Sequence, residues 1–251
     1  MKHSWVVFAT ILLTMLLLPA TSSAANLYGI NFVGQHTAAT SGNFRYFGWW
    51  GVKGTLYWQT LPVLVGSGTR HVESWLMITQ DTYPQTNWVS AGYTTDNSKY
   101  PEVWTFREHV LNGLPMFAYV TQRPCPSAQG VAIEAGSYNP NTGLYSYRTY
   151  LGSLYVTSGL PRQSGCAQAK SESRNNGGLN VLATTYFGTN AAGYNGSSHA
   201  LYLRNYLPAW ELWDTTLMGG TTFIDLGDYP PYYYSPHSSY RHYYFGTWNR
   251  S

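Results

Sequence analysis

Hydrophobic and polar residues alternate along much of this chain, which is the period-two pattern of half-buried β-strands. The alternating runs are separated by clusters of Gly, Pro, Asn and Ser. We predict strands over 47–59, 71–80, 87–95, 101–110, 115–122, 143–158 and 179–188, with a bend at Gly152. Many short strands separated by turn residues predict an all-β fold, an antiparallel two-sheet β-sandwich or jelly roll.

Only one segment has features of a helix. Ser198 is a suitable N-terminal cap, and Leu201, Tyr202 and Asn205 keep a helical spacing until Pro208 interrupts it. A short helix or an irregular loop is therefore expected within 198–213.

The end of the chain is rich in tyrosine. Residues 240–248 alternate well enough to form a closing strand, because Tyr, Phe and Trp suit a half-buried pleated surface. The preceding stretch "YPPYYYSPHSS" contains three prolines, which cannot donate to a strand ladder. We expect a loop there, folded over one rim of the sandwich.

The N-terminus has the form of a secretory signal. Lys2 and His3 precede the apolar run "WVVFATILLTMLLL", and "SSAA" supplies small residues for cleavage. That run is shorter than the roughly 20 residues that span a bilayer, so a transmembrane anchor is not expected. We predict a signal peptide over 1–24, a single β-sandwich domain over 26–251, and a secreted, extracellular protein.

The composition excludes several classes of function. Charged residues make up 10% of the chain and aromatic residues 17%, which argues against intrinsic disorder. The formal net charge is +3 and no run of Lys and Arg concentrates it, so a nucleic-acid partner is not expected. Cys125 and Cys166 are predicted to form a disulfide, because an even pair in an exported chain is usually bonded and zinc-type spacing is missing.

Acidic side chains on the predicted strands are the candidates for chemistry. Glu73, Glu108 and Glu172 lie among aromatic or polar strand residues, where a carboxylate must be exposed or partnered. Two of them facing across a concave sheet would suit glycoside hydrolysis, although glutamates on a solvated strand face have the same pattern. The histidines are not spaced as metal ligands, so neither a metal nor a cofactor is predicted. His71 and Glu73 share one strand face.

Residues 74–110, "SWLMITQDTYPQTNWVSAGYTTDNSKYPEVWTFREHV", resemble the central strands of the glutamic peptidases and the related neprosin-like proteins. The resemblance implies a concanavalin-like sandwich, with Trp104 and Glu108 on the wall of a cleft and Glu172 at the second catalytic position. The first catalytic position, a Gln or Glu in the family, falls on Ser90. A serine hydroxyl cannot act as a carboxylate base, so the resemblance extends to the fold more than to the chemistry.

These observations favour a secreted, non-catalytic protein that binds a polysaccharide or an extended peptide. Its predicted binding residues are Trp88, Ser90, Tyr93, Trp104 and Glu73, since aromatic faces stack on apolar surfaces while their polar groups hydrogen-bond. Two alternatives stay open. One is a hydrolase, either a divergent glutamic peptidase using Glu172 and Glu108 or a glycoside hydrolase. The other is a structural cell-surface protein.

Overall fold

The computed structural model describes eleven ranges of the chain: 28–38, 48–66, 68–80, 86–152, 154–176, 180–191, 198–205, 209–214, 221–226, 232–236 and 243–249. Every regular element in these ranges is a β-strand. None of the described residues forms a helix with the length and apolar character needed to cross a membrane. The predicted signal peptide lies outside the described residues.

Seven strands form the first antiparallel sheet, in the order β14-β1-β10-β3-β4-β5-β6. Their bounds are Tyr28–Ala38 (β1), His71–Thr79 (β3), Trp88–Asp96 (β4), Val103–Leu111 (β5), Leu114–Arg123 (β6), Cys166–Asn176 (β10) and Thr221–Leu226 (β14). Consecutive strands β3 to β6 are neighbours, whereas β10 inserts between β1 and β3. The central position of β10 brings residues far apart in sequence onto adjacent strands.

Nine strands form the second sheet, whose main order is β15-β16-β11-β2-β7-β8-β9, with β12 paired to β2 and to β13. Their bounds are Gly51–Trp58 (β2), Ser127–Asn139 (β7), Leu144–Tyr150 (β8), Leu154–Leu160 (β9), Thr185–Phe187 (β11), Tyr202–Arg204 (β12), Trp210–Leu212 (β13), Tyr232–Pro236 (β15) and Phe245–Asn249 (β16). Gly152 lies in the bend between β8 and β9 with a φ of 78°, a conformation that glycine adopts without strain.

The hydrophobic core lies between the two sheets. Val72, Leu76 and Ile78 alternate along β3 and face it, as the period of two in a strand requires. Trp58 of β2 stacks on Tyr93 of β4 at 5.3 Å between ring centroids, joining the two sheets. The predicted antiparallel two-sheet sandwich is confirmed. Each sheet has a second face, outside the core, on which a functional site can lie.

The predicted strands agree with β2 to β6, with β8 and β9, and with the short β11. Pattern reasoning missed β1, β7, β10 and β14, whose small and polar residues obscure the alternation. Over 198–213 the expected helix is wrong for the described residues, and the alternative of an irregular loop is wrong at β12 and β13, which form a short strand pair. Leu201 and Leu203 are buried in the sandwich core, and that packing outweighs local helical spacing.

The aromatic end of the chain supplies two strands instead of one. β16 confirms the later part of the predicted closing strand, and Phe245 stacks on Phe187 of β11 at 4.5 Å. The expected loop is wrong at β15, which pairs with β16 at the end of the sheet order. An edge position tolerates Pro236, since one side of an edge strand needs no ladder donors. Residues 237–242 lie outside the described ranges.

The predicted disulfide is wrong, because Cys125 and Cys166 are not bonded to each other. Cys166 begins β10 opposite Thr79, at one end of the seven-stranded sheet. Cys125 follows β6 beyond the opposite end, with its Sγ 4.0 Å from the carbonyl oxygen of Trp58. At about 3.3 Å per strand residue the two cysteines are separated by more than about 20 Å. Disulfide bonding requires Cα atoms within about 7 Å.

Candidate functional site

The outer face of the seven-stranded sheet carries the three glutamates predicted from the sequence; we call it the acidic face. The side chains of β3 alternate between the two faces of the sheet. The inward set faces the core and the outward set lies on the acidic face: Val72, Ser74, Leu76 and Ile78 inward, and His71, Glu73, Trp75 and Met77 outward. The pairing register then places Glu172 beside Glu73, and Glu108 beside Ser90 on the same face. The sheet therefore gathers three carboxyl groups from β10, β3 and β5.

Glu73 and Glu172 form the central pair of the acidic face. They are direct cross-strand partners on β3 and β10. Residues in this relation have Cβ atoms about 4.5–5.5 Å apart, so their side chains are neighbours. The Glu172 side chain is 20% exposed, which leaves it accessible from solvent. Two carboxyl groups at this separation cannot both ionise freely.

Glu73 is the more strongly perturbed member of the pair. Burial raises the pKa of Glu73 to about 7, and the negative charges of Glu172 and Glu108 act in the same direction. His71 and a 3.2 Å hydrogen bond from Thr94 Oγ1 to Glu73 Oε1 oppose that rise. Near neutral pH a large fraction of Glu73 is therefore a neutral carboxylic acid, a form that can donate a proton.

His71 lies at the other side of the pair. Its Nε2 is 3.5 Å from Glu172 Oε1, an ion-pair contact that is too long for a well-formed hydrogen bond. Burial lowers the pKa of His71, but Glu73 and Glu172 outweigh burial, so the pKa is raised from its ordinary value. An imidazole that is protonated more readily than usual therefore lies beside the Glu172 carboxyl group.

Glu108 is held by two of the predicted binding residues. Trp88 Nε1–H donates to Glu108 Oε2 at 2.9 Å, and the Ser90 hydroxyl donates to the same oxygen at 3.4 Å. Burial raises the pKa of Glu108, the Trp88 hydrogen bond lowers it, and Glu172 raises it again. Because Glu172 influences the pKa of both Glu73 and Glu108, the three carboxyl groups form one electrostatic cluster.

Aromatic side chains surround the carboxyl cluster. Trp75, Met77 and Phe106 are buried together on the acidic face, with Trp88 packed against them. Phe106 also belongs to a set of rings on β5 and β6 that we call the aromatic ridge: Trp104, Phe106, Phe117 and Tyr119. Phe117 is 41% exposed, and Lys99 Nζ lies 4.6 Å above the ring of Trp104. The ridge offers flat apolar surface next to the acids.

The structure brings most of the predicted residues together, with one exception. Glu73, Trp88, Ser90, Trp104, Glu108 and Glu172 all lie on the acidic face. Tyr93 instead points into the core, where it is completely buried and its hydroxyl lies 2.8 Å from Ser127 Oγ. Its position one residue out of phase with Ser90 and Thr94 accounts for this difference.

Thr94 was not identified from the sequence, because its role depends on its register opposite Glu73. The alternation of "VSAGYTT" is the signal that could have placed it beside Ser90 on one face. No cluster of three or more His, Cys, Asp or Glu side chains suited to a metal occurs within the described ranges. The carboxyl groups of the acidic face can take part in proton transfer.

Comparison with known proteins returned structural neighbours only. No family model matches the chain, and no curated protein matches it. Solved structures with similar folds include scytalido-glutamic peptidase bound to a peptide-based transition-state analogue, at 11% identity and a TM-score of 0.48. That alignment covers 88% of this chain and 98% of the peptidase.

Two further neighbours have the same coverage of both chains. One is scytalido-glutamic peptidase with another transition-state analogue inhibitor, at 12% identity and a TM-score of 0.47. The other is SCP-B of the eqolisin family of peptidases in complex with the tripeptide Ala-Ile-His, at 10% identity and a TM-score of 0.45. These neighbours belong to the glutamic peptidases, which residues 74–110 resemble.

Proposed function

We propose that this protein is a hydrolase that uses Glu73 and Glu172 to cleave an extended polymer, with a polypeptide as the substrate class. One observation carries the proposal. Two glutamates are direct partners on adjacent strands; burial raises the pKa of Glu73 to about 7, and Glu172 is 20% exposed with His71 Nε2 at 3.5 Å from its Oε1. A buried acid of raised pKa beside an accessible carboxyl group is suited to general acid–base chemistry.

In the proposed reaction, the Glu172 carboxylate accepts a proton from a water molecule as that water attacks the scissile carbonyl carbon. The Glu73 carboxylic acid donates its proton to the developing oxyanion, which gives a tetrahedral intermediate. Glu172 then gives the proton from water to the leaving nitrogen as the C–N bond breaks, and Glu73 recovers a proton from the intermediate's hydroxyl as the carbonyl re-forms. Thr94 Oγ1, which donates to Glu73 Oε1, restricts that carboxyl group to one orientation. Protonated His71 stabilises the negative charge of Glu172 before the proton transfer.

The surroundings of the pair support an extended substrate. The aromatic ridge provides apolar faces for side chains on one side of the carboxyl groups. Glu108, anchored by Trp88 and Ser90, adds a further acidic group on β5, the strand that also carries part of the ridge. Ser90 therefore positions a carboxyl group in this account, although it lies where the glutamic peptidases have a catalytic Gln or Glu.

The aromatic ridge also favours a second candidate function, a non-catalytic protein that binds a polysaccharide or an extended peptide. The exposed ring of Phe117 and the half-buried rings of Trp104 and Tyr119 suit stacking with either ligand and need no reaction. In both cases we expect the protein to act outside the cell, after export directed by residues 1–24.

The test is a cleavage assay with the purified protein on unfolded polypeptides, a fluorogenic peptide library and a polysaccharide panel between pH 3 and 8. We expect peptide cleavage that falls by about 100-fold or more in Glu73→Gln and in Glu172→Gln. Glu211→Gln, a carboxyl change on β13 of the other sheet, serves as the matched control and should retain activity.

Three outcomes would contradict the proposal. Cleavage that survives both substitutions would show that other residues carry the reaction. Cleavage of polysaccharides alone would assign the pair to glycoside hydrolysis, for which adjacent carboxyl groups are also suited. Saturable binding of peptide or polysaccharide without any cleavage would establish the second candidate function.

A further inference from the structure

A pocket of about 360 Å³ opens on the outer face of the other, nine-stranded sheet. A row of directly paired residues crosses the pocket: Tyr202 on β12, Lys53 on β2, Ala132 on β7 and Tyr150 on β8. These side chains share one face because directly paired residues in a sheet point the same way. The pocket is separated from the acidic face by the whole thickness of the sandwich, and it is independent of the proposed hydrolysis.

Lys53 is the one cationic side chain among the described residues that line this pocket. Its Nζ lies 5.0 Å from the ring centroid of Tyr202 and 4.7 Å from that of Trp210, so two aromatic faces hold the ammonium group. Within the described part of the chain, no carboxylate or carbonyl oxygen lies within hydrogen-bond or ion-pair distance of Lys53. Its three N–H donors are available to a ligand.

The negative charge of the nearby Glu134 carboxylate is already balanced by cationic side chains. Glu134 accepts a hydrogen bond from Arg204 Nη1 at 2.8 Å and another from the hydroxyl of Tyr150 at 3.0 Å. Arg148 Nη1 lies 3.9 Å from the same carboxylate. With three cationic side chains around one carboxylate, this part of the sheet has an excess of positive charge. The charge favours an anionic ligand.

The rest of the lining is made of small residues. Ala132 and Ala200 contribute hydrocarbon, Thr55 and Ser198 contribute hydroxyl groups, and Gly130 has no side chain. A Cβ added at Gly130 would meet no atom within 4 Å, so the space above this residue is open. Burial lowers the pKa of Lys53 despite the opposing charge of Glu134, in keeping with an ammonium group in partly apolar surroundings.

We propose that this pocket binds a small carboxylate with an apolar body, such as an aryl or short aliphatic acid. The carboxylate would accept hydrogen bonds from Lys53, and the body would lie against the tyrosine rings and over Gly130. One ammonium group balances one negative charge, whereas phosphate is usually bound by several donors or by arginine forks. The guanidinium of Arg204 is already committed to Glu134.

Isothermal titration calorimetry of the purified full chain with phenylacetate tests the assignment. Phenylacetamide keeps the apolar body without the charge, and glucuronate keeps the carboxylate on a polar body. We expect saturable one-to-one binding of phenylacetate, at least about tenfold tighter than that of either comparison compound.

Two substitutions locate the binding site. Lys53→Met keeps most of the stem and removes the charge, and Gly130→Leu fills the open space above the strand. Each should weaken phenylacetate binding by about tenfold or more. Lys99→Met is the matched control, because Lys99 has a similar pair of ring contacts, with Trp104 and Tyr119, on the other sheet.

The proposal is overturned if phenylacetate gives no saturable binding, or if phenylacetamide or glucuronate binds as tightly. It is also overturned if both pocket variants keep their heat-induced unfolding transition and still bind phenylacetate with unchanged affinity. Two pocket variants are used so that, if one of them fails to fold, the phenylacetate affinity of the other still tests the proposal. Neither result depends on whether the acidic face hydrolyses a polymer.

Discussion

Replacing Glu73 by Gln should stabilise the protein, and the gain should appear only as the pH rises. Glu73 is buried beside Glu172, and the neutral form of its carboxyl group is favoured. Glutamine has nearly the same shape, retains an oxygen that can accept the Thr94 hydrogen bond, and never ionises. The substitution therefore removes the unfavourable charge and little of the packing.

The size of the effect follows from the pKa of Glu73, which rises from its ordinary value of 4.5 to about 7 in the folded protein. Between these values the folded state binds more protons than the unfolded state, so wild-type stability falls as the pH rises. At 1.36 kcal/mol per pKa unit, the ionised side chain costs about 3 kcal/mol above pH 7. The variant does not pay this cost.

The difference in unfolding free energy between variant and wild type should therefore increase with pH. The pKa of about 7 for Glu73 already includes the opposing charge of His71, so His71 adds no separate contribution.

Urea unfolding at pH 4, 6 and 8 measures this difference. We expect the variant minus wild-type value to rise by about 3 kcal/mol from the lowest to the highest pH, within reach of linear extrapolation. Glu211→Gln on β13 should show no comparable rise. A Glu73→Gln difference that stays constant from pH 4 to 8 would refute the argument that Glu73 is a buried, largely neutral acid.

Three further predictions concern other parts of the sandwich. Trp88→Phe removes the donor to Glu108, so the pKa of Glu108 should rise further in a carbon-13 NMR titration; an unchanged pKa would refute the role of that bond. Thiol titration of the denatured, unreduced protein should find both Cys125 and Cys166 reactive. If neither thiol reacts, the two cysteines are bonded and this reading of the structure is wrong. Phe245→Ala should cost about 3–5 kcal/mol of unfolding free energy, and a loss below about 1 kcal/mol would exclude β16 from the core.

Alternation along single strands was enough to predict the fold class and one face of the site. The pattern "HVESW" places His71 and Glu73 together because a strand alone fixes which residues share a face. The same rule applied strictly would have put Tyr93 in the core, opposite to Ser90 and Thr94. Once a strand is recognised, its period-two alternation therefore predicts which face of the sheet each side chain is on.

Pairing between distant strands could not be read from the sequence. Glu73 and Glu172 meet because β10 inserts beside β3, and no local signal specifies that neighbour or its register. The disulfide prediction failed for the same reason, since Cys166 begins the inserted strand at the end of the sheet away from Cys125. β10 itself, "CAQAKSESRNN", is polar enough to hide its strand character.

The central claim is that Glu73 acts as the acid of a hydrolytic pair, and the pH dependence of peptide cleavage tests it most directly. The measurement is kcat/KM for a cleaved peptide between pH 3 and 9, compared with the Glu73 titration followed by NMR. We predict that kcat/KM falls as the pH rises through about 7, with the midpoint at which Glu73 ionises. A rate that is unchanged between pH 6 and 8, or a profile that Glu73→Gln leaves intact, would contradict the account.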